Sequence, residues 1–274
     1  MQIAIPTYGR AQTIGTHVLS YLRSTDINLD DVTLFVASEA ERDAYSTFNP
    51  DLRVVVGKKG LTNQRQFISG YYPAGTPVFS MDDDVSGIDP LSGLSTIGKQ
   101  RKTLSTQCTL SPVFKLAPLL RAGFDRCEKH GVGLWGFYPV RNKGFMQPKI
   151  SLGLKFIMGH AFGFFAGDRA FDEITSYNMK DDYYLTLFHF ANARGSLRFD
   201  GICVRSKAHS GSGGTCDDME RKLRVNNGSV MRLCGEYPTL AAYKVRRTAD
   251  TWLARYLELR LRAITYSEEN FAYL

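Results

Sequence analysis

The stretch Pro77-Val78-Phe79-Ser80-Met81-Asp82-Asp83-Asp84-Val85 decides how this chain reads. An apolar run of strand length drives straight into three carboxylates. Side chains alternate along an extended backbone, so Asp82 and Asp84 share one side and Asp83 takes the other. Two carboxylates on one side repel unless a cation lies between them. A hard divalent ion held by few protein oxygens keeps positions free for substrate phosphates. Taken alone, the triplet also reads as a turn or helix start, where Asp is common.

Outward from this stretch, strand and helix patterns alternate. Residues 2–6, 31–37, 52–57 and 76–81 read as strands. Residues 13–23, 38–48 and 61–72 read as helices, with Ser38 and Glu41 in capping-box register. Strands separated by helices imply a mainly parallel sheet with right-handed crossovers. Ligands bind outside the carboxyl ends of such strands. Residues 6–10, Ser38 with Glu39, residues 57–60 and the aspartates all fall at that edge.

Downstream the pattern loosens. Residues 86–107 read as a mobile loop with Lys99, Arg101 and Lys102 at a basic tip. Residues 111–130 read as a helix kinked at Pro118, and 132–140 as a strand. Residues 150–166 read as a bent strand pair, 181–194 as a helix opening with acids, and 197–206 as a strand. Residues 237–262 read as a basic amphipathic helix carrying Lys244, Arg246, Arg247, Arg255, Arg260 and Arg262. That helix is either packed with a solvated basic face or a surface that tracks phosphates. Residues 211–214 read as a hinge to the tail.

The chain has 274 residues, 43% hydrophobic and 22% charged, which suits one large α/β domain with trimmings or two small domains. Its formal net charge is +7, which favours a polyanionic partner without choosing among nucleic acid, membrane and phosphorylated substrate. The five cysteines (Cys108, Cys127, Cys203, Cys216 and Cys234) show no C-x-x-C spacing and read as free thiols of a reducing compartment. No apolar run of membrane-spanning length occurs, so a soluble, cytoplasmic protein is expected.

The opening Ile3-Ala4-Ile5-Pro6-Thr7-Tyr8-Gly9-Arg10 resembles the first strand and loop of nucleotide-sugar glycosyltransferases of the GT-A fold. In that family a D-x-D motif ends the fourth strand, matched by Asp82 and Asp84. A glycine-containing loop precedes the acceptor site, matched by residues 159–163. An x-E-D motif opens a later helix, matched by Lys180-Asp181-Asp182 with Asp in place of Glu. A downstream histidine completes the metal shell, matched by His209. The resemblance covers about residues 1–215.

Within that fold the chain is most similar to phage enzymes that glycosylate hydroxymethylated pyrimidines in DNA. The similarity rests on Asn63-Gln64-Arg65-Gln66, the aspartate triplet, residues 181–187 and residues 209–214. The resemblance implies a catalytic domain over 1–215, with a nucleotide-binding half (1–85), an acceptor half (86–215) and a helical extension (216–274). It implies Mn²⁺ or Mg²⁺ on Asp84, Asp82 and His209, and a UDP-sugar donor against Pro6, Tyr8, Arg10, Glu39, Arg65, Asp82 and Asp83. Asp182 is then the general base and Asp181 holds an acceptor or sugar hydroxyl. Duplex DNA is the implied acceptor, gripped by Lys99, Arg101, Lys102, Arg246, Arg247 and Arg255. The host cytoplasm is the implied location. A polysaccharide or lipid-linked acceptor, a two-metal phosphoryl-transfer enzyme and a non-catalytic DNA-binding protein remain open alternatives.

Overall fold

The computed structural model describes residues 1–92, 109–206, 219–246 and 256–271. Four strands form its parallel half: β1 (Gln2–Pro6), β2 (Val32–Val36), β3 (Arg53–Val56) and β4 (Pro77–Met81). Three helices connect them: α1 (Val18–Arg23), α2 (Glu39–Phe48) and α3 (Leu61–Tyr71). Beyond β4 lie β5 (Val85–Ser92), β6 (Thr109–Leu110), α4 (Leu116–His130), β7 (Leu134–Tyr138), β8 (Lys149–Leu154) and β9 (Ala161–Phe165). The chain then forms α5 (Asp181–Asn192), β10 (Ser196–Ser206), α6 (Met219–Glu236), β11 (Ala241–Arg246), β12 (Tyr256–Leu261) and β13 (Ile264–Asn270).

The main sheet runs β13-β8-β10-β7-β9-β4-β1-β2-β3, with β5 and β6 branching from β10. From β1 the chain steps outward through β2 to β3, then returns to place β4 on the other side of β1. This reversal separates the loop after β1 from the loop after β4 and opens a crevice between them. Strand alternation sorts the core onto two faces. Ile3, Ile5, Leu34, Phe79 and Met81 pack against α1 and α4, whereas Ala4, Phe35 and Val78 pack against α3 and α5.

Several sequence-based expectations need correction. Residues 85–92 form β5, antiparallel to β10, where the start of a loop is expected, and residues 93–108 lie outside the described residues. Pro118 is the third residue of α4, where backbone N–H groups have no intrahelical acceptor, so it causes no kink. The strands within 150–166 do not pair with each other: β8 joins β10 and β13, and β9 joins β4 and β7.

Where a helix over 237–262 is expected, the described residues include β11 and β12, paired as an antiparallel hairpin. Leu257, Leu259 and Leu261 alternate with Glu258 and Arg260, a period of two that suits a half-buried strand. Beyond the hairpin, β13 returns to the main sheet as an edge strand, so the segment expected as a helical extension holds one helix, α6, followed by three strands. Residues 211–214 lie outside the described residues.

Candidate active site

The carboxyl ends of β1 to β4 enclose a cleft of about 380 Å³ lined by Pro6, Thr7, Tyr8, Arg10, Ala37, Lys58, Lys59, Gly60, Leu61, Gln64, Asp82, Asp83 and Asp84. Each wall is a loop that follows one of these strands. Gly60 caps α3 with φ +95°, a conformation that side chains resist, and its carbonyl accepts from Gln64 N. Lys59 stands 5.7 Å over the half-exposed Tyr8 ring, giving the cleft mouth an aromatic face and a cation.

The three aspartates do not continue the strand. Val85 N donates to Asp82 O, closing a turn, so strict alternation stops at Met81. Asp83 turns toward the loop after β1, where Thr7 Oγ1 donates to Asp83 Oδ2 at 2.7 Å and Arg10 is ion-paired to Oδ1. Because Thr7 gives its proton to Asp83, Tyr45 Oη donates to Thr7 and accepts from Arg10 N at 2.9 Å. This chain of bonds closes the crevice floor between β1 and β4. Arg10 and Asp83 are thus committed to each other beside the cleft.

Asp82 points the other way, 3.3 Å from Arg65 Nη2. Arg65 is 3% exposed, donates to Gly159 O at 2.5 Å, and is ion-paired through Nη1 to Asp181. Gly159 permits this approach, since a Cβ there would stand 2.7 Å from Arg65 Nη1. Arg65 therefore lies beneath the cleft and its bonds are internal, where sequence reasoning expected donor contact. Asp181, expected to hold an acceptor or sugar hydroxyl, is likewise buried and ion-paired to Arg65.

Asp182, the next residue, is half-buried at the start of α5 and accepts from Tyr183 N at 2.8 Å. Burial first, then neighbouring Asp181, raise its carboxyl to about 7, against Lys180 and Arg65. Asp82 is also raised to about 7, by burial first and by Asp84 and Asp83, with Arg65 opposing. Both carboxyls are thus pushed up from the ordinary carboxylate range, a perturbation that clusters at functional sites.

Glu39 is exposed and ion-paired to Arg42, outside the cleft wall. Its neighbour Glu41, missed by sequence reasoning as a site residue, does the positioning: Oε1 accepts from Gly9 N at 2.8 Å and Oε2 from Ala37 N at 2.9 Å. The capping-box register was its only signal. Arg246 lies on β11, ion-paired across the hairpin to Glu258. His209, Lys99, Arg101, Lys102, Arg247 and Arg255 lie outside the described residues.

Asp84 Oδ1 is buried with no hydrogen-bond partner among the described residues. A buried carboxylate oxygen left bare is costly unless a cation or donor meets it. Asp82 and Asp84 offer hard oxygen donors on the cleft wall and fit a divalent cation. Among the described residues no group of three His, Cys, Asp or Glu side chains forms a ready metal cage, so the remaining positions would go to substrate, water or His209. His160, whose carbonyl accepts from Asp82 N at 2.8 Å, is lowered to about 4 by burial, with Asp84 opposing, and is neutral at pH 7.

No family model matches the chain, and no curated protein does. Solved structures do. TarS residues 1–349 of S. aureus, in complex with UDP-GlcNAc, superimposes with a TM-score of 0.51 at 11% identity, covering 85% of this chain and 67% of that one. Glucosyl-3-phosphoglycerate synthase from Mycobacterium tuberculosis, with UDP, gives 0.44 at 11% identity over 89% and 83%. Mannosyltransferase PcManGT from Pyrobaculum calidifontis, with GDP-Man and Mn²⁺, gives 0.43 at 11% identity over 86% and 64%. The TarS match shows the fold: a mixed α/β architecture of the GT-A type, with a central sheet flanked by helices. Among the described residues no helix is long and apolar enough to cross a membrane.

Proposed function

We propose that this chain is a metal-dependent, inverting glycosyltransferase that uses a UDP-sugar. One observation carries the reading. Asp82 on the cleft wall and Asp181 at the start of α5 meet through a single buried guanidinium, that of Arg65. A donor cleft and a base are thereby joined at one sheet edge. The UDP-GlcNAc in the TarS structure supports a uridine nucleotide sugar as the donor.

The cleft's own residues divide the work. Tyr8 and Lys59 at the mouth take the base and a phosphate. Asp82 and Asp84 would hold a divalent ion, with His209 as a further ligand. Such an ion neutralises the charge that builds on the leaving diphosphate. Asp182, ionised above about pH 7, accepts the proton of the acceptor hydroxyl as it attacks the anomeric carbon from the face opposite the diphosphate. Asp181 and Arg65 keep Asp182 and Asp82 in register.

For the acceptor we carry forward a hydroxymethylated pyrimidine of duplex DNA, with 5-hydroxymethylcytosine first. The net charge of +7 supports a polyanionic partner. A 5-hydroxymethyl group projects into the major groove, so base flipping is optional. The test is incubation with hydroxymethylcytosine DNA, a panel of UDP-sugars and Mn²⁺, followed by digestion and mass analysis of the nucleosides. A mass gain of one sugar is the expected result. Absence of UDP binding with and without Mn²⁺ would overturn the glycosyltransferase reading, and nicking of plain DNA would favour phosphoryl transfer.

A further inference from the structure

Asp89 on β5 is fully buried and carries two arginines. Arg205 grips it with two nitrogens, Nε to Oδ2 at 3.1 Å and Nη2 to Oδ1 at 2.7 Å. Arg141 adds Nε to Oδ2 at 3.0 Å. Both arginine side chains remain open to solvent, at 48% for Arg141 and 40% for Arg205. Two cations on one anion leave an excess positive charge. Among the described residues, both Nη groups of Arg141 and Nη1 of Arg205 have no hydrogen-bond partner.

The topology sets this pair on the acceptor side of the carboxyl edge. β7 and β10 are parallel to each other and run in the same direction as β4. Arg141 follows the end of β7 and Arg205 lies near the end of β10, where it is opposite Gly87. Gly87 is three residues past Asp84, about 10 Å along an extended chain. One acceptor molecule can span from the carboxylates to the arginines.

We infer that Arg141 and Arg205, oriented by the buried Asp89, form a clamp for a phosphate group of the acceptor. The inference rests on the glycosyltransferase reading for the word acceptor. The clamp itself rests on the chemistry of the pair. Planar guanidiniums fixed by a carboxylate on one side present forked donors on the other, the geometry that suits phosphate oxygens. DNA is the phosphate source favoured by the net charge.

Arg141→Gln is the decisive variant, because Arg205 still satisfies both oxygens of Asp89 when Arg141 is lost. Fluorescence anisotropy would follow a plain duplex oligonucleotide across a salt series, and calorimetry would follow inorganic phosphate. UDP with Mn²⁺ serves as the control. Arg141→Gln should weaken duplex binding about tenfold and flatten the log–log salt slope by about 0.9, one phosphate's share. Arg141→Lys should restore the slope. UDP affinity should be the same in all three proteins. Phosphate binding that depends on Arg141, without duplex binding, would keep the clamp and assign it to a small phosphorylated acceptor. Unchanged duplex affinity and slope in Arg141→Gln, with unchanged phosphate binding, would overturn the clamp. A shift in unfolding midpoint alone would mean that the pair only staples β5 to its neighbours. Failure of wild type to bind UDP would instead defeat the glycosyltransferase reading, and the phosphate arm would still decide the clamp.

Discussion

Asp82 and Asp181 are held by the two terminal nitrogens of one buried guanidinium: Arg65 Nη2 lies 3.3 Å from Asp82, and Arg65 Nη1 is ion-paired to Asp181. The two acids are 99 positions apart in the chain. One lines the cleft and the other opens the helix that carries the proposed base. Arg65 thus connects the two halves of the site from below.

Arg65→Met should therefore be costly. Removing one partner of a buried ion pair leaves an uncompensated charge, typically at about 3–5 kcal/mol. The loss should shrink at acidic pH, where Asp82 protonates, and grow at alkaline pH. Urea unfolding at two pH values measures both. Equal losses at both would mean that Arg65 contributes by packing on Phe162, 5.4 Å away, and not by charge.

Asp182 should set the acidic limb of the rate profile. Its carboxyl is raised to about 7, and a general base works only when ionised, so kcat/KM should rise with pH through about 7. Asp182→Asn should lower kcat by at least about 100-fold and leave UDP affinity close to wild type. Retained turnover in that variant would move the base elsewhere.

Asp82 links metal binding to stability. Its carboxyl is about 7 in the folded chain against an ordinary 3.8, so the folded state holds the proton more tightly. The resulting stabilisation is complete below the ordinary value and is lost as pH rises through about 7. A divalent cation binds the ionised form and should reverse that loss. Mn²⁺ should thus raise the unfolding midpoint more at about pH 8 than at about pH 5.5. Asp84→Asn should remove most of the Mn²⁺ effect. A midpoint insensitive to Mn²⁺ at alkaline pH would argue against a metal on these carboxylates.

Glu41 should control donor affinity without touching the donor. Its two oxygens hold the N–H groups of Gly9, in the loop after β1, and of Ala37, just after β2. Glu41→Ala loses both bonds, and a charge-assisted bond contributes about 1.5–3 kcal/mol. Weakening of UDP binding by at least about tenfold is expected. The exposed Glu39→Ala, by contrast, should bind UDP as wild type does, and equal behaviour of the two variants would return Glu41 to a simple helix-capping role.

The parallel half and the identity of its edge were legible in the residue pattern. Apolar runs of strand length, separated by amphipathic helices, leave a chain few ways to bury its core, and the four strand ends of that half all proved to line one cleft. The aspartate triplet was legible for the same reason. Tertiary structure alone decided which carboxylate faces which partner. The turn at Asp82 ends the strand alternation, so Asp83 meets Thr7 and Arg10 while Asp82 meets Arg65. It also decided that Arg65 and Asp181 lie inside and that Glu41, rather than Glu39, supports the wall. The same holds for the C-terminal hairpin, where arginines spaced through an apolar segment suggested a helix. Leu257, Leu259 and Leu261 bury one side of a strand against the core, and that long-range packing selects the period of two. Local pattern specifies where a chain is apolar; which charges it pairs, and across what distance, is settled only when strands remote in sequence are brought side by side.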